Sequence, residues 1–235
     1  MTIRIFVSND LDKGLTVSLN PAQHHYLFHV MRCQAGDSIL LFNGKDGEWL
    51  SVVEIISKKE VSLKVLENTR LQSEEKKSDV WLCFSPIKRD NMEFIIQKAT
   101  ELGVSVLQPV IMRRTVVSKI NLDKMKLQAI EASEQCERLS IPVINEALPL
   151  DKLLNSWDEN RMLYFLDERN DGDIWNTTDK IAYLVGPEGG FDPEELQKLR
   201  ALSFPKALHL GRRILRAETA CLSVLSVHNH LTGWI

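Results

Sequence analysis

Over its first third the chain carries apolar residues in short, β-branched-rich runs. Beyond that, continuous apolar stretches alternate with segments of helical period, so two differently built halves are predicted. Ile3–Val7, Ser38–Phe42, Trp49–Ile56 and Val61–Leu66 read as strands, separated by turn pairs such as Asn43-Gly44 and Asp46-Gly47. Between the first two, Pro21–Met31 reads as one helix with Ala22, Tyr26 and Val30 on one face at spacing four. This describes a small β-barrel with a helical insert.

Gln72–Ser78 (QSEEKKS) has no large apolar group, and it marks the boundary. The predicted division is a β-rich domain at 1–71, a linker at 72–79 and an α/β domain at 80–235. In the α/β domain Val80–Phe84, Val104–Ile111, Met162–Leu166, Ile181–Val185 and Ala207–Leu210 read as strands. The alternating helices imply crossover connections, and therefore a mostly parallel sheet with helices on both faces. One helix starts at Asp90, buries Met92, Ile95, Ile96, Ala99 and Leu102, and stops at Gly103. Another starts near Asn121 with a seam of Leu122, Met125, Ala129, Ala132 and Cys136. A third is marked by Asp192 as N-cap, Pro193 at the first position and Glu195 closing a capping box, with Leu196 and Leu199 inward. The last begins near Ala217 and turns Ala220, Cys221, Val224 and Leu225 inward.

Charge and cysteine usage narrow the function classes. A formal charge of -3 does not suit a nonspecific nucleic-acid coat, although basic residues cluster at Lys88-Arg89, Arg113-Arg114, Lys119 and Arg212-Arg213-Arg216. Cys33, Cys83, Cys136 and Cys221 lie far apart without a CxxC and read as small core residues, with neither a disulfide framework nor a zinc site implied. The pairs His25/His29 and His228/His230 lack acidic or thiol partners at ligand spacing, so no metal is expected. Met1–Asp10 has no signal pattern, no apolar run reaches the roughly 20 residues of a membrane span, and a cytoplasmic location is the expectation.

Three stretches carry candidate chemistry. Leu184–Phe191 (LVGPEGGF) runs from a buried-type strand into a glycine-rich turn before a helix, at the sheet edge where parallel α/β folds bind ligands. Gly186, Gly189 and Gly190 admit close approach of a ligand to free backbone groups. Neither a GxxxxGK[ST] phosphate loop nor a GxGxxG dinucleotide fingerprint is present. Leu208–Ala220 again leaves a strand through a glycine and enters a helix, with Arg212, Arg213 and Arg216 near the helix start, where cations are mildly disfavoured unless an anion compensates. Glu131–Arg138 (EASEQCER) sets Glu134 and Arg138 at spacing four, which as a plain surface pair contributes only about 0.3–0.5 kcal/mol.

Together with HHYLFHVMR, GDSILLFNGKDGE and MEFIIQKATELGV, the stretches EASEQCERLSIP, LVGPEGGF and LGRRILRAETA closely resemble the bacterial family that methylates N3 of a uridine in 16S ribosomal RNA, within the SPOUT superfamily. They occur in family order over nearly the whole chain. The chain departs from the family pattern at Arg113, where an acidic residue is common, and at Glu137, where a small one is. The resemblance implies a PUA-like RNA-binding barrel followed by an α/β SPOUT domain with a deep trefoil knot, a homodimer, S-adenosylmethionine as cofactor and the 16S RNA of the small ribosomal subunit as partner. A non-catalytic ribosome-assembly factor, or a methyltransferase of tRNA or of a ribose 2′-hydroxyl, is the alternative.

On that basis the cofactor is expected against Leu184, Val185, Gly186, Pro187, Glu188, Gly189 and Gly190 of one bend, and Leu210, Gly211, Ile214, Leu215, Ala217 and Thr219 of the other. RNA contacts are expected from Arg32, Lys88, Arg113, Arg114, Arg212 and Arg213. The N3 atom of uracil attacks a methyl group only as its proton leaves. Glu134 or Glu218 is therefore the candidate proton acceptor, while Arg138, Arg216 or Arg114 stabilises charge on the ring oxygens.

Overall fold

The computed structural model describes residues 3–76, 78–117, 119–168, 175–178 and 180–234, without the side chain of Arg89. The chain forms two compact units: Met1–Lys77 with Ser133–Ile141, and Ser78–Ala132 with Pro142–Ile235.

The first unit is a five-stranded sheet of β1 (Ile3–Phe6), β2 (Thr16–Ser18), β3 (Ser38–Phe42), β4 (Glu48–Ile56) and β5 (Val61–Arg70), ordered β1-β3-β4-β5-β2. Only β1 and β3 run parallel; the other neighbours are antiparallel. Alternation along the strands sends Ile5, Val17, Ile39, Leu41, Val53, Leu63 and Val65 into one core. The predicted single helix is two pieces: α1 (Pro21–His25), capped by Asn20, and a π-helical turn at Tyr26–Val30. The wider π turn carries Leu27 into the core and leaves Tyr26 and Val30 exposed, so the spacing-four face is not the buried one.

Ser133–Ile141 joins this unit because one arginine collects it. Arg4, itself buried, bonds Glu48 (2.6 Å) and donates to the carbonyls of Ser133 (2.8 Å), Glu134 (3.1 Å) and Arg138 (3.2 Å). The first two carbonyls are orphans at the end of the helix Leu122–Gln135, so the guanidinium acts as its C-cap. Glu75 takes the main-chain N–H groups of Leu139 and Ser140. The helix ends at Gln135 and Glu137 adopts φ +62°, which leaves Cys136 exposed rather than in the predicted seam. The predicted linker, 72–79, holds a 3-10 turn at Gln72–Glu74, and its Lys77 lies outside the described residues.

The second unit is a parallel sheet. Its strands are β6 (Val80–Phe84), β7 (Val106–Ile111), β8 (Val143–Ile144), β9 (Leu148–Pro149), β10 (Met162–Leu166), β11 (Ile181–Val185) and β12 (Pro205–Leu208), ordered β12-β10-β11-β6-β7-β8 with β9 on β7. Helices α2 (Arg89–Glu101), α3 (Leu122–Gln135), α4 (Leu150–Asn155), α5 (Pro193–Ala201) and α6 (Ala217–Leu231) connect or follow the strands. Strand β11 is buried at every position, as expected of a central strand covered on both faces. From β6 the chain proceeds to β7 on one side, and from β11 it proceeds to β12 on the other. The carboxyl ends of β6 and β11 therefore flank a topological switch point. Helix α6 packs on α2 and β11, with Ala217, Cys221, Val224 and Leu225 buried.

Candidate active site

A cavity of about 620 Å³ opens at the switch point, within the range of small-molecule sites. Its walls come from the carboxyl ends of four strands: Lys88 and Asn91 after β6, Leu166–Glu168 after β10, Val185–Phe191 without Gly189 after β11, and Leu208–Glu218 without Arg212 after β12. Val116 and Ala220 complete it. The two glycine-bearing bends expected to converge thus line one space.

Of the expected cofactor contacts, Val185, Gly186, Pro187, Glu188, Gly190, Leu210, Gly211, Ile214, Leu215 and Ala217 line the cavity. Leu184 is fully buried in the sheet, and Thr219 is exposed on α6; neither is a lining residue. Gly186 has a packing reason, since a Cβ there would come within 3.1 Å of the Phe191 ring, which in turn packs edge-on against Phe165. Gly189 turns away from the cavity and gives its carbonyl to Arg114 (2.9 Å).

That bond belongs to a clamp. The turn after β7 donates the Arg113 N–H to Glu195 (2.9 Å), and the other Glu195 oxygen accepts the Asp192 N–H (3.1 Å), the predicted capping box of α5. Arg113 pairs with Asp192 and Glu194, and Arg114 also faces Asp192. Thr115 bonds Ser85 (2.7 Å), whose N–H reaches the Val185 carbonyl (3.0 Å). Arg114, expected on RNA, is thus engaged in holding the bend at 186–190, and Arg113, also expected there, in holding the start of α5. We expect Arg114→Ala to weaken cofactor binding about tenfold with little change in thermal midpoint, the consequence of losing one charge-assisted bond to the bend. Isothermal titration showing unchanged affinity would mean the bend holds itself.

The remaining cations differ. Lys88, Arg213 and Arg216 line the cavity and Arg212 lies exposed beside it, and among the described residues none of the four side chains has a hydrogen-bond or ion-pair partner. Lys88 and Arg216 are the N-cap residues of α2 and α6, where the helix dipole disfavours a cation. Arg32 stands in the first unit, exposed at φ +54°.

Among the four candidate catalytic residues, Arg216 and Glu218 line the cavity. Glu218 sits in the first turn of α6, where the dipole favours a carboxylate. Its Oε1 accepts from the Asn91 amide (3.1 Å), and its buried Oε2 has no hydrogen-bond partner among the described residues. Glu134 and Arg138 belong to the first unit and do not line the cavity. Glu134 accepts the Phe6 N–H (2.9 Å); Arg138 bonds Ser140, and burial pushes its guanidinium below the usual value, partly offset by Glu75.

Asn91, Asp167, Glu168 and His209 line the site without having stood out in the sequence. Asp167 and Glu168 follow the apolar run of β10 directly, so the strand-end rule that singled out Gly186 also applied to them. Asp167 is buried and paired with Arg200. Asn91 gave no signal, being one polar residue in a helix's first turn.

The arrangement suits S-adenosylmethionine. Branched apolar side chains of Val185, Leu208, Leu210, Ile214 and Leu215 offer surface for a nucleoside, beside backbone groups that can bond its edges. The exposed carboxylate of Glu188 suits its cationic part, and the orphaned Glu218 oxygen leaves an acceptor for a ligand donor. Among the described residues no group of three His, Cys, Asp or Glu could hold a metal, and no helix is long and apolar enough to cross a membrane.

Comparison with known proteins agrees. Residues 74–229 match the RNA methyltransferase domain family, and residues 19–66 match the RNA methyltransferase PUA domain family. The ribosomal RNA small subunit methyltransferase E of Rickettsia conorii is 34% identical over 95% of this chain and 93% of its own length. The enzyme of the same name from Synechocystis is 30% identical over 98% of this chain and 78% of its own. The crystal structure of a ribosomal RNA small subunit methyltransferase E from Neisseria gonorrhoeae bound to S-adenosyl methionine aligns at TM-score 0.88 and 27% identity, covering 98% of both chains. A putative methyltransferase from Legionella pneumophila in complex with the same cofactor aligns at TM-score 0.85 and 28% identity, again over 98% of both. By sequence, architecture and the placing of its cavity, the chain belongs to the ribosomal RNA small subunit methyltransferase E family.

Proposed function

We propose that the chain transfers a methyl group from S-adenosylmethionine to N3 of a uridine in 16S ribosomal RNA. The observation that carries this reading is the cavity itself, in which two glycine-bearing bends meet an unpartnered carboxylate oxygen and unpaired cations. When bound, S-adenosylmethionine supplies a methyl group made electrophilic by its sulfonium.

The chain supplies position and charge. The bends at 186–190 and 210–215 hold the adenosyl group, and the Arg113-Arg114 turn keeps the first bend rigid, so that much of the barrier is met by orientation. Glu188 lines the cavity from the bend after β11 and would hold the cationic part of the cofactor. Glu218 is the acceptor for the N3 proton, and Arg216 stabilises the negative charge that spreads onto the uracil carbonyl oxygens as the proton leaves. Lys88, Arg212 and Arg213 meet the phosphates flanking the target, which would relieve the unfavourable placing of cations near helix starts. Arg32 is the corresponding contact of the PUA domain. Glu134 and Arg138, already bonded within the first unit, shape the segment 133–141, Glu134 rather than taking the proton and Arg138 rather than stabilising charge on the base. The trefoil knot and the homodimer complete the reading as the family resemblance implies them, and a ribosomal RNA substrate suits a cytoplasmic place of action.

Small subunits from a strain lacking the modification, incubated with the chain and methyl-labelled S-adenosylmethionine, are expected to yield 3-methyluridine on nucleoside mass spectrometry. Label in a ribose, in another base or nowhere would overturn the assignment.

A further inference from the structure

The unpaired oxygen of Glu218 is oriented by a single neighbour, and that neighbour has chemical consequences. Asn91 lies in the first turn of α2 and Glu218 in the first turn of α6, and the two helices pack together beside the cavity. The Asn91 amide donates to Oε1 at 3.1 Å, while Oε2 is buried and, among the described residues, unsatisfied; both residues line the cavity. An amide nitrogen is a donor only, so it fixes the carboxylate plane and consumes one oxygen, leaving the other as the acceptor. Buried polar atoms are rarely left without partners, and one on a residue that lines a cavity gains its partner when the side chain turns towards a ligand donor.

We propose that Asn91 is a positioning residue that presents Glu218 Oε2 to the imide N–H of the target base, and that this contact selects uracil over cytosine. The inference rests on the function proposed above. Uracil carries a hydrogen at N3 and can donate to the carboxylate; cytosine has a lone pair there and meets it with repulsion. In the transfer step the N3–H bond breaks and its proton passes to Oε2. Its electron pair forms the N3–CH3 bond, and the pair of the breaking C–S bond stays on sulfur, so the sulfonium becomes a neutral thioether. The proton then leaves Glu218 for water.

The test compares Asn91→Ala with Asn91→Asp. Aspartate is nearly isosteric with asparagine and, in the first turn of α2, favours the helix through the dipole, so a purely structural role predicts that it is the milder change. The positioning role predicts the reverse, because aspartate removes the donor and sets a second carboxylate against Glu218. Single-turnover methylation of unmodified small subunits at saturating cofactor is expected to fall about tenfold in Asn91→Ala and further in Asn91→Asp. Glu218→Gln is expected to fall at least as far, and cofactor affinity by calorimetry should stay within about twofold for both Asn91 variants. Wild-type chain should bind small subunits with cytosine at the target position about tenfold more weakly than those with uracil, and Glu218→Gln should narrow that gap. Asn91→Asp reacting as fast as Asn91→Ala overturns this inference and leaves the proposed function standing; Glu218→Gln reacting at the wild-type rate overturns it together with Glu218's role as proton acceptor, but leaves methylation of N3 standing. No 3-methyluridine from the wild-type chain overturns both.

Discussion

Replacing Gly47 by alanine is expected to destabilise the first unit by about 3–5 kcal/mol, the sum of backbone strain and overpacking. Gly47 has φ +83°, and a Cβ there would lie 2.2 Å from the Arg70 carbonyl oxygen and 3.0 Å from the Gln72 nitrogen. Both are main-chain atoms, so no side-chain rotation relieves the clash. The surrounding turn is also fixed. Asn43 accepts the N–H groups of Lys45 and Asp46, the Asp46 carboxylate accepts the Leu11 N–H, and the Asp46 carbonyl is bonded by Trp49 and Asn68. Displacing the turn would break several of these bonds at once. Gly14 gives an internal control in the same unit, with φ +85° and nothing within 4 Å of its Cβ position. Alanine at Gly14 meets only the conformational part, about 1 kcal/mol. At about 4–8 °C per kcal/mol for a domain of this size, the Gly47 variant should melt at least about 8 °C below the Gly14 variant. Equal midpoints in a thermal melt followed by circular dichroism would show that the turn gives way easily.

The Gly47 turn was legible in sequence, whereas its tight contact was not, and the same division recurs through the molecule. Local chemistry announced itself: Asp192, Pro193 and Glu195 start α5 with the capping box expected of them, and the runs Val80–Phe84 and Ile181–Val185 became β6 and β11 within their predicted bounds. The two bends of the cavity could be picked out because strand, glycine and helix follow one another directly. What stayed hidden depends on distant partners. Nothing near Ser133 shows that Arg4, 129 residues away, will claim its carbonyl and draw the segment 133–141 onto the β-rich unit. Reading Cys136 into the helical seam assumed one more turn than that capping permits. The π turn at Tyr26–Val30 likewise inserts one residue into a helical period, and any residue set at spacing three or four is then misassigned beyond it. Arg113-Arg114 and Arg212-Arg213 look alike in sequence. One pair finds Asp192 and Glu194 in the fold and the other finds no partner among the described residues, a distinction set by tertiary structure alone.

Arg216 is where stability and activity are expected to part most clearly. The residue lines the cavity, its guanidinium has no partner among the described residues, and its main chain is the N-cap of α6. A cation there opposes the helix dipole by about 0.3–1 kcal/mol, so Arg216→Ala should leave the thermal midpoint unchanged or slightly raised. Methyl transfer should nevertheless fall by about 10²–10³, the effect of removing one donor aimed at developing negative charge in an enclosed site. Arg216→Lys keeps the charge but not the planar fork of N–H donors, and it should recover only part of the rate because an ammonium directs its donors at a carbonyl oxygen less firmly. Because the interaction strengthens as the uracil proton leaves, the loss should appear in the single-turnover rate at saturating RNA more than in RNA affinity. A folded Arg216→Ala variant that methylates small subunits at the wild-type rate would remove this residue from the chemistry. A loss confined to RNA affinity, with the saturated rate intact, would place it instead with Lys88 and Arg213 as a phosphate contact.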